Sequence, residues 1–273
     1  MNNLTLRILT ALVGVIVIVG SLFLHQGVFI TVFALIAVLT HIEYIRTTSL
    51  SPKLKTTEFI FPLACNLMII GFFQMRFIEH AFLLRFLFAS TIILVIVALT
   101  IELYQKREAP FHHVGVLVLG LLYIPVSFGW YIQTTNSQST AWFSLGILCM
   151  VWCNDTFAYF AGRWLGKHKL FERISPKKTW EGFIGGMCMT IACGFVLSRY
   201  YINLSAIEWM GLGLVVSIAG TYGDLVESLL KRSTQLKDSG SLLPGHGGFL
   251  DRFDGFLFAV PAAIAYLVAL NIL

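Results

Sequence analysis

Charge is what this chain has least of. Only 12% of its 273 residues are Asp, Glu, Lys or Arg, against 57% hydrophobic residues, whereas a soluble domain carries about a quarter charged residues. That little polar material cannot cover an apolar core in water. An ordinary soluble globular protein is excluded, and the bilayer is left as the solvent. Paired cysteines are also missing. The five cysteines (Cys65, Cys149, Cys153, Cys188, Cys193) sit in apolar runs and none forms a C-x-x-C pair, so they read as small buried hydrophobes. There is no low-complexity segment and no polar linker. A complete P-loop is absent too: Ala161-Gly162-Arg163-Trp164-Leu165-Gly166-Lys167-His168 has alanine at the required first glycine and histidine in place of Ser or Thr. Gly211-Leu212-Gly213 lies in an apolar run without a third glycine and reads as packing, as do the pairs Gly162–Gly166 and Gly182–Gly186.

Apolar runs long enough to cross a bilayer are there in number. Hydropathy predicts an all-α, polytopic integral membrane helical bundle of about nine transmembrane helices, near 8–24, 27–45, 58–75, 82–103, 112–132, 141–164, 182–200, 206–230 and 250–272. The first run lacks a small-residue cleavage site and is read as a retained span. The net charge of +5 is parcelled between the runs, which argues for topology and against a nucleic acid partner. All but three (Arg76, Arg85, Arg199) of the 19 lysines and arginines fall on the side of the N-terminus and the even-numbered connections. The positive-inside rule then predicts a cytosolic N-terminus. The polar content of the spans rises from Asn154 onward, predicting a scaffold of N-terminal helices over 1–140 and a catalytic region over 141–273. Glu43 and Glu102 lie near predicted span ends and read as reaching the interface.

Five acids interrupt or end the last four spans: Asp155, Asp224, Glu227, Asp251 and Asp254. An ionised carboxylate in hydrocarbon is rarely kept without a partner, a cavity or a function. The predicted topology puts all five at one depth, near the cytosolic face. Asp251 and Asp254 share a helix face, as do Asp224, Glu227, Ser228 and Lys231. Two such faces across a cavity suit hard cations such as Mg²⁺. The competing reading is a set of buried ion pairs with Lys231, Arg232 and Arg252. Ser175-Pro176-Lys177-Lys178 reads as a helix start, with Ser175 as N-cap, Pro176 in the first turn and two lysines completing an anion site. Pro244-Gly245-His246-Gly247-Gly248 lets backbone N–H groups approach a ligand and opens into the helix of Asp251 and Asp254; His246 is placed to bond a phosphate oxygen or carry a proton.

These residues resemble the signature of phosphatidate cytidylyltransferases (CDP-diacylglycerol synthases): Ser228-Leu-Leu-Lys231-Arg232, then Lys237-Asp238-Ser-Gly240, then Leu243-Pro244-Gly-His246-Gly247-Gly248-Phe-Leu-Asp251-Arg252-Phe-Asp254. Asn154-Asp155 with Tyr159 and Gly162, and Ser175-Pro176-Lys177-Lys178-Thr179-x-Glu181-Gly182, resemble the family's other landmarks. The resemblance spans about residues 150–255. It implies a metal-dependent enzyme that forms a homodimer, with CTP and phosphatidate as substrates and CDP-diacylglycerol and pyrophosphate as products. It also implies a centre on Asp224, Asp251 and Asp254 with Mg²⁺ and a monovalent cation such as K⁺. Lys177, Lys178, Lys231, Arg232 and Arg252 are then candidates for the phosphates, with Ser175, Ser228, Lys237, Gly247 and Gly248 beside them. The expected location is a bacterial plasma (inner) membrane, multi-pass, with the active site on the cytosolic side. A secondary transporter, a related lipid kinase or another lipid cytidylyltransferase, and a non-catalytic scaffold are the rival readings; acids clustered at one edge, without a repeat, do not match a midplane transporter site.

Overall fold

Eight helices and one small hairpin account for most of what the computed structural model describes. Residues 1–2, 49–62, 67–68, 72–88, 90, 91, 94, 102, 105–108, 136–137, 202–203, 236–238, 241–246 and 273 lie outside the described residues. The helices are α1 (Asn3–Leu24), α2 (Gln26–Thr48), α3 (Pro110–Tyr123), α4 (Pro125–Gln133), α5 (Gln138–Leu165), α6 (Trp180–Leu197), α7 (Ala206–Ser233) and α8 (Leu250–Ala269). Strands β1 (Lys169–Phe171) and β2 (Ser175–Thr179) form an antiparallel pair between α5 and α6.

Six stretches are long and apolar enough to cross a membrane: α2, α3 with α4 as one unit (Pro110–Gln133), α5 over Ala141–Leu165, α6, α7 and α8. They fall within a few residues of the corresponding predicted spans. The first prediction, 8–24, falls within α1, whose Ile8–Leu24 part is a shorter apolar helix. The third and fourth predictions, 58–75 and 82–103, fall largely outside the described residues, so the described helices do not add up to nine spans. Along α1, Ile8, Leu9, Leu12 and Ile16 are exposed, an apolar surface that suits lipid and not water.

α3 and α4 are one span broken at Pro125. Proline lacks the N–H that would continue the ladder, yet the helix resumes, with Phe128 N–H donating to Ile124 O at 3.1 Å. The resumed turn carries Phe128 and Tyr131 into an aromatic core with Phe29 and Phe33 of α2 and Phe256 of α8. The Phe33–Tyr131 and Tyr131–Phe256 centroids are 4.9 and 5.0 Å apart, within the range of favourable tilted and edge contacts.

The C-terminal helices pack in chain order, α5 on α6, α6 on α7 and α7 on α8. Small residues set the distance. A Cβ on Gly182 would lie 2.8 Å from Ala158 O, and one on Gly186 would lie 2.9 Å from Asn154 O, so α6 lies against the backbone of α5. This is the close approach that the spaced glycines predict. α7 opens on a capping box: Ser205 Oγ accepts from Glu208 N–H at 3.3 Å while Glu208 accepts from Ser205 N–H at 2.6 Å.

Candidate active site

α5, α7 and α8 bring four of the five acids into one neighbourhood, starting from Asn154. Its buried side chain accepts from Ser217 Oγ at 2.6 Å and donates to Thr221 Oγ1 at 3.4 Å. That pair of bonds fixes the register of α5 against α7 and leaves Asp155 and Asp224 on the wall of one cavity. Gly223 does the same for α7 and α8. A Cβ there would come within 2.6 Å of Asp254 O, so its absence lets the helices close until the carboxyl of Asp254 lies against that of Asp224, with Asp155 and Glu227 in electrostatic reach. Asp254 Oδ1 also accepts from its neighbour's amide, Gly255 N–H, at 2.7 Å.

The cavity holds about 510 Å³ and is lined by Asp155, Tyr159, Arg163, Ser175, Lys177, Lys178, Thr179 and Asp224, among others. Its size is that of a small-molecule site. One wall carries carboxylates and the other carries lysines. Lys178 crosses between them to an ion pair with Asp224.

The basic wall corrects one expectation. Ser175 and Pro176 do not start a helix; Ser175–Thr179 is β2, paired with β1 in the register Lys169↔Thr179 and Phe171↔Ser175. In a two-stranded sheet every strand is an edge, where a proline without an N–H is tolerated. The helix starts one turn later. Thr179 is extended and its Oγ1 accepts from Gly182 N–H at 3.1 Å, so threonine takes the capping role assigned to Ser175. Glu181 fastens the far side of this corner by accepting from the amides of Lys167 at 3.1 Å and His168 at 3.2 Å. Lys177 and Lys178 therefore project from a strand in place of a helix N-terminus.

The metal triad expected from the resemblance is brought together only in part. Asp251 faces elsewhere: Oδ1 pairs with Lys231 Nζ at 2.8 Å, and Oδ2 accepts from Gly248 N–H at 2.9 Å and Ser239 N–H at 3.1 Å. Lys231 also pairs with the buried Glu227 at 2.5 Å. Lys231 thus links Asp251 to Glu227, the acid within electrostatic reach of Asp254. Among the described residues no three acid, histidine or cysteine side chains stand in a metal-ligating array. The Asp224–Asp254 contact nonetheless fits a cation, because two hard carboxylates in contact repel unless positive charge lies between or beside them.

The remaining candidates are scattered around this centre. Gly247 has φ of 82°, a conformation that favours glycine, and turns the chain so that Gly248 meets Asp251. Arg252 is exposed and within electrostatic reach of Asp155. Arg232 Nε donates to Ile174 O at 3.4 Å, tying the end of α7 to the hairpin. Ser228 is partly buried on α7, one turn beyond Asp224. Lys237 and His246 lie outside the described residues. Sequence reasoning missed Glu43. It does not reach an interface: it is 1% exposed and accepts from Leu250 N–H at 2.9 Å, 207 residues away. It also passed over Arg163, whose NH1 donates to Tyr159 Oη at 2.9 Å on the cavity wall; the i, i+4 spacing of the two residues was its only local signal.

The phosphatidate cytidylyltransferase of Bacillus subtilis (strain 168) is 40% identical over 178 residues, covering 64% of this chain and 66% of that protein. The phosphatidate cytidylyltransferases of Staphylococcus aureus (strain COL) and Staphylococcus haemolyticus (strain JCSC1435) are each 38% identical over 174 residues, covering 63% of this chain and 66% of those proteins. The chain thus matches just under two thirds of the length of these curated relatives. The profile described as the cytidylyltransferase family matches residues 5–270, nearly the whole chain, and the chain belongs to the cytidylyltransferase family.

Proposed function

We propose that this protein is a metal-dependent phosphatidate cytidylyltransferase. A phosphate oxygen of phosphatidate attacks the α-phosphorus of CTP in line. The bond from that phosphorus to the bridging oxygen breaks, CDP-diacylglycerol forms and pyrophosphate leaves. The attacking oxygen is already an anion, so no side chain need remove a proton from it. The barrier is charge, because two polyanions must meet and the leaving group gains negative charge.

The observation that carries this reading is that Asp224, which meets Asp254, lines the same cavity as the lysines of strand β2. Asp224 and Asp254 would hold Mg²⁺, and the site would also take a monovalent cation such as K⁺. A bound Mg²⁺ supplies charge neutralisation at the phosphates. Lys177 and Lys178 bind triphosphate oxygens, and Lys178 exchanges its contact with Asp224 for one with the substrate. Arg163, on the cavity wall, and Arg252, in electrostatic reach of Asp155, bind the lipid phosphate. Asp251 orders the glycine turn through Gly248 and Ser239. The acyl chains stay in the bilayer, which is why a nucleotidyl-transfer site is built on membrane helices. The protein works as a homodimer in a bacterial plasma membrane, with this face in the cytosol, as the lysine and arginine distribution supports.

The test is an assay of the purified, detergent-solubilised protein with α-labelled CTP, phosphatidate and Mg²⁺. Label should enter a lipid with CDP-diacylglycerol mobility, and EDTA should stop it. Absence of labelled lipid, or equal transfer from ATP, would reject the assignment.

A further inference from the structure

Glu43 is a glutamate in an apolar helix of the region that otherwise serves as scaffold, and the mechanism above does not use it. Its carboxylate is buried against the segment that leads from α7 to α8. Oε2 accepts from Leu250 N–H at 2.9 Å, at the first residue of α8, where negative charge complements the helix dipole. Oε1 has no hydrogen-bond partner among the described residues. Gly240 and Gly248 lie around the carboxylate: a Cβ on Gly240 would run into Oε1, and a Cβ on Gly248 would run into Oε2 and Ser239 Oγ. One turn along α2, Thr47 Oγ1 donates to Ser239 O at 3.2 Å. Both ends of the segment are therefore held twice, Ser239 by Thr47 and Asp251, and the Gly248–Leu250 end by Asp251 and Glu43.

We infer that Glu43 is a positioning residue for the reaction: its carboxylate clamps the start of α8 and the glycine turn so that Asp254 is presented to Asp224. This inference rests on the cytidylyltransferase reading for its kinetic consequence and on geometry alone for the clamp. A buried carboxylate is an expensive way to cap a helix. The cost makes sense if the cap must be rigid, because small misplacements at a reacting centre cost about 10–100-fold in rate. The clamp also accounts for two glycines of the signature, since Gly240 and Gly248 are the residues that make room for the carboxylate.

The experiment uses the full-length protein in detergent with E43A, E43Q and G248A. Hydrogen–deuterium exchange over residues 247–254 reads the clamp whether or not CTP is the substrate, and should accelerate in E43A and recover in E43Q, which keeps an acceptor for Leu250 N–H. In the CTP assay, E43A should lower kcat about tenfold or more while the KM for phosphatidate stays within about twofold. G248A should accelerate exchange over the same residues, because the added methyl displaces the carboxylate from Leu250 N–H. Unchanged exchange in E43A, or faster exchange with unchanged kcat, would overturn the inference. So would unchanged exchange in G248A, which decides the matter if E43A does not fold. A wild-type protein inert toward CTP would reject the assigned reaction; the exchange experiment would still judge the clamp.

Discussion

α1–α4 and α5–α8 solve the same packing problem in opposite ways. The N-terminal helices meet through large side chains: Phe29, Phe33, Phe128 and Tyr131 fill the space between α2 and α4 and extend to Phe256. The C-terminal helices meet through what glycine leaves out, with Gly182 and Gly186 against α5 and Gly223 against α8. Lipid supplies no hydrophobic drive for helices to associate, so close packing and polar contacts must do so. Aromatic packing keeps backbones apart and the space between them dry. Glycine packing brings backbones together and lets short polar side chains such as Asn154, Ser217 and Asp254 reach across. The carboxylates and lysines of the cavity are therefore placed in the glycine-packed half, and the other half contributes Glu43 and Thr47 from its edge.

Four substitutions would break or sharpen that contrast. The largest effect is expected for Asp254→Asn, which removes a charge without changing shape. Turnover should fall about a thousandfold with the melting temperature of the solubilised protein nearly unchanged; near-wild-type turnover would remove Asp254 from the cation site. Phe33→Ala tests the other half. Phe33 is fully buried, and its truncation should destabilise the protein by about 3 kcal/mol, measured by thermal unfolding in detergent. Activity per folded molecule should hold, and a comparable loss of kcat would make the aromatic core part of the active site.

Lys178→Ala should raise the KM for CTP about tenfold, in the range of a lost charge-assisted hydrogen bond, with a smaller effect on kcat. An unchanged CTP dependence would leave Lys178 only as the partner of Asp224. The smallest effect belongs to Thr179→Ala, which removes the cap of α6. About 1 kcal/mol of stability should go. Thr179→Ser should restore it, and failure of that rescue would mean that the threonine methyl, packed beside Gly166, matters more than the hydroxyl.

Much of this was readable from residue order. The spans from α2 and α5 to α8 follow from apolar run length, and the acids stood out because each interrupts such a run. The hairpin was less legible. Ser-Pro-Lys-Lys carries the local signature of a helix start, and only pairing with Lys169–Phe171 makes it a strand. Glu43 was misread because its distance from a helix end is local information, while its partner at Leu250 is 207 residues away. Asp251 looked equivalent to Asp254, three residues on. The difference between them is which neighbour each meets: Lys231 with two backbone amides for one, Asp224 for the other.

By itself the order of residues determined that the chain belongs in a membrane, where its described helices run, and which acids were too costly to be idle, because hydropathy and the burial of charge are properties of short segments. Tertiary structure alone decided which of those acids meet, that the lysines stand on a strand, and that a glutamate of the second helix braces the last one. Those outcomes depend on how closely backbones approach and in what register, and glycine-to-carbonyl contacts between distant parts of the chain set both.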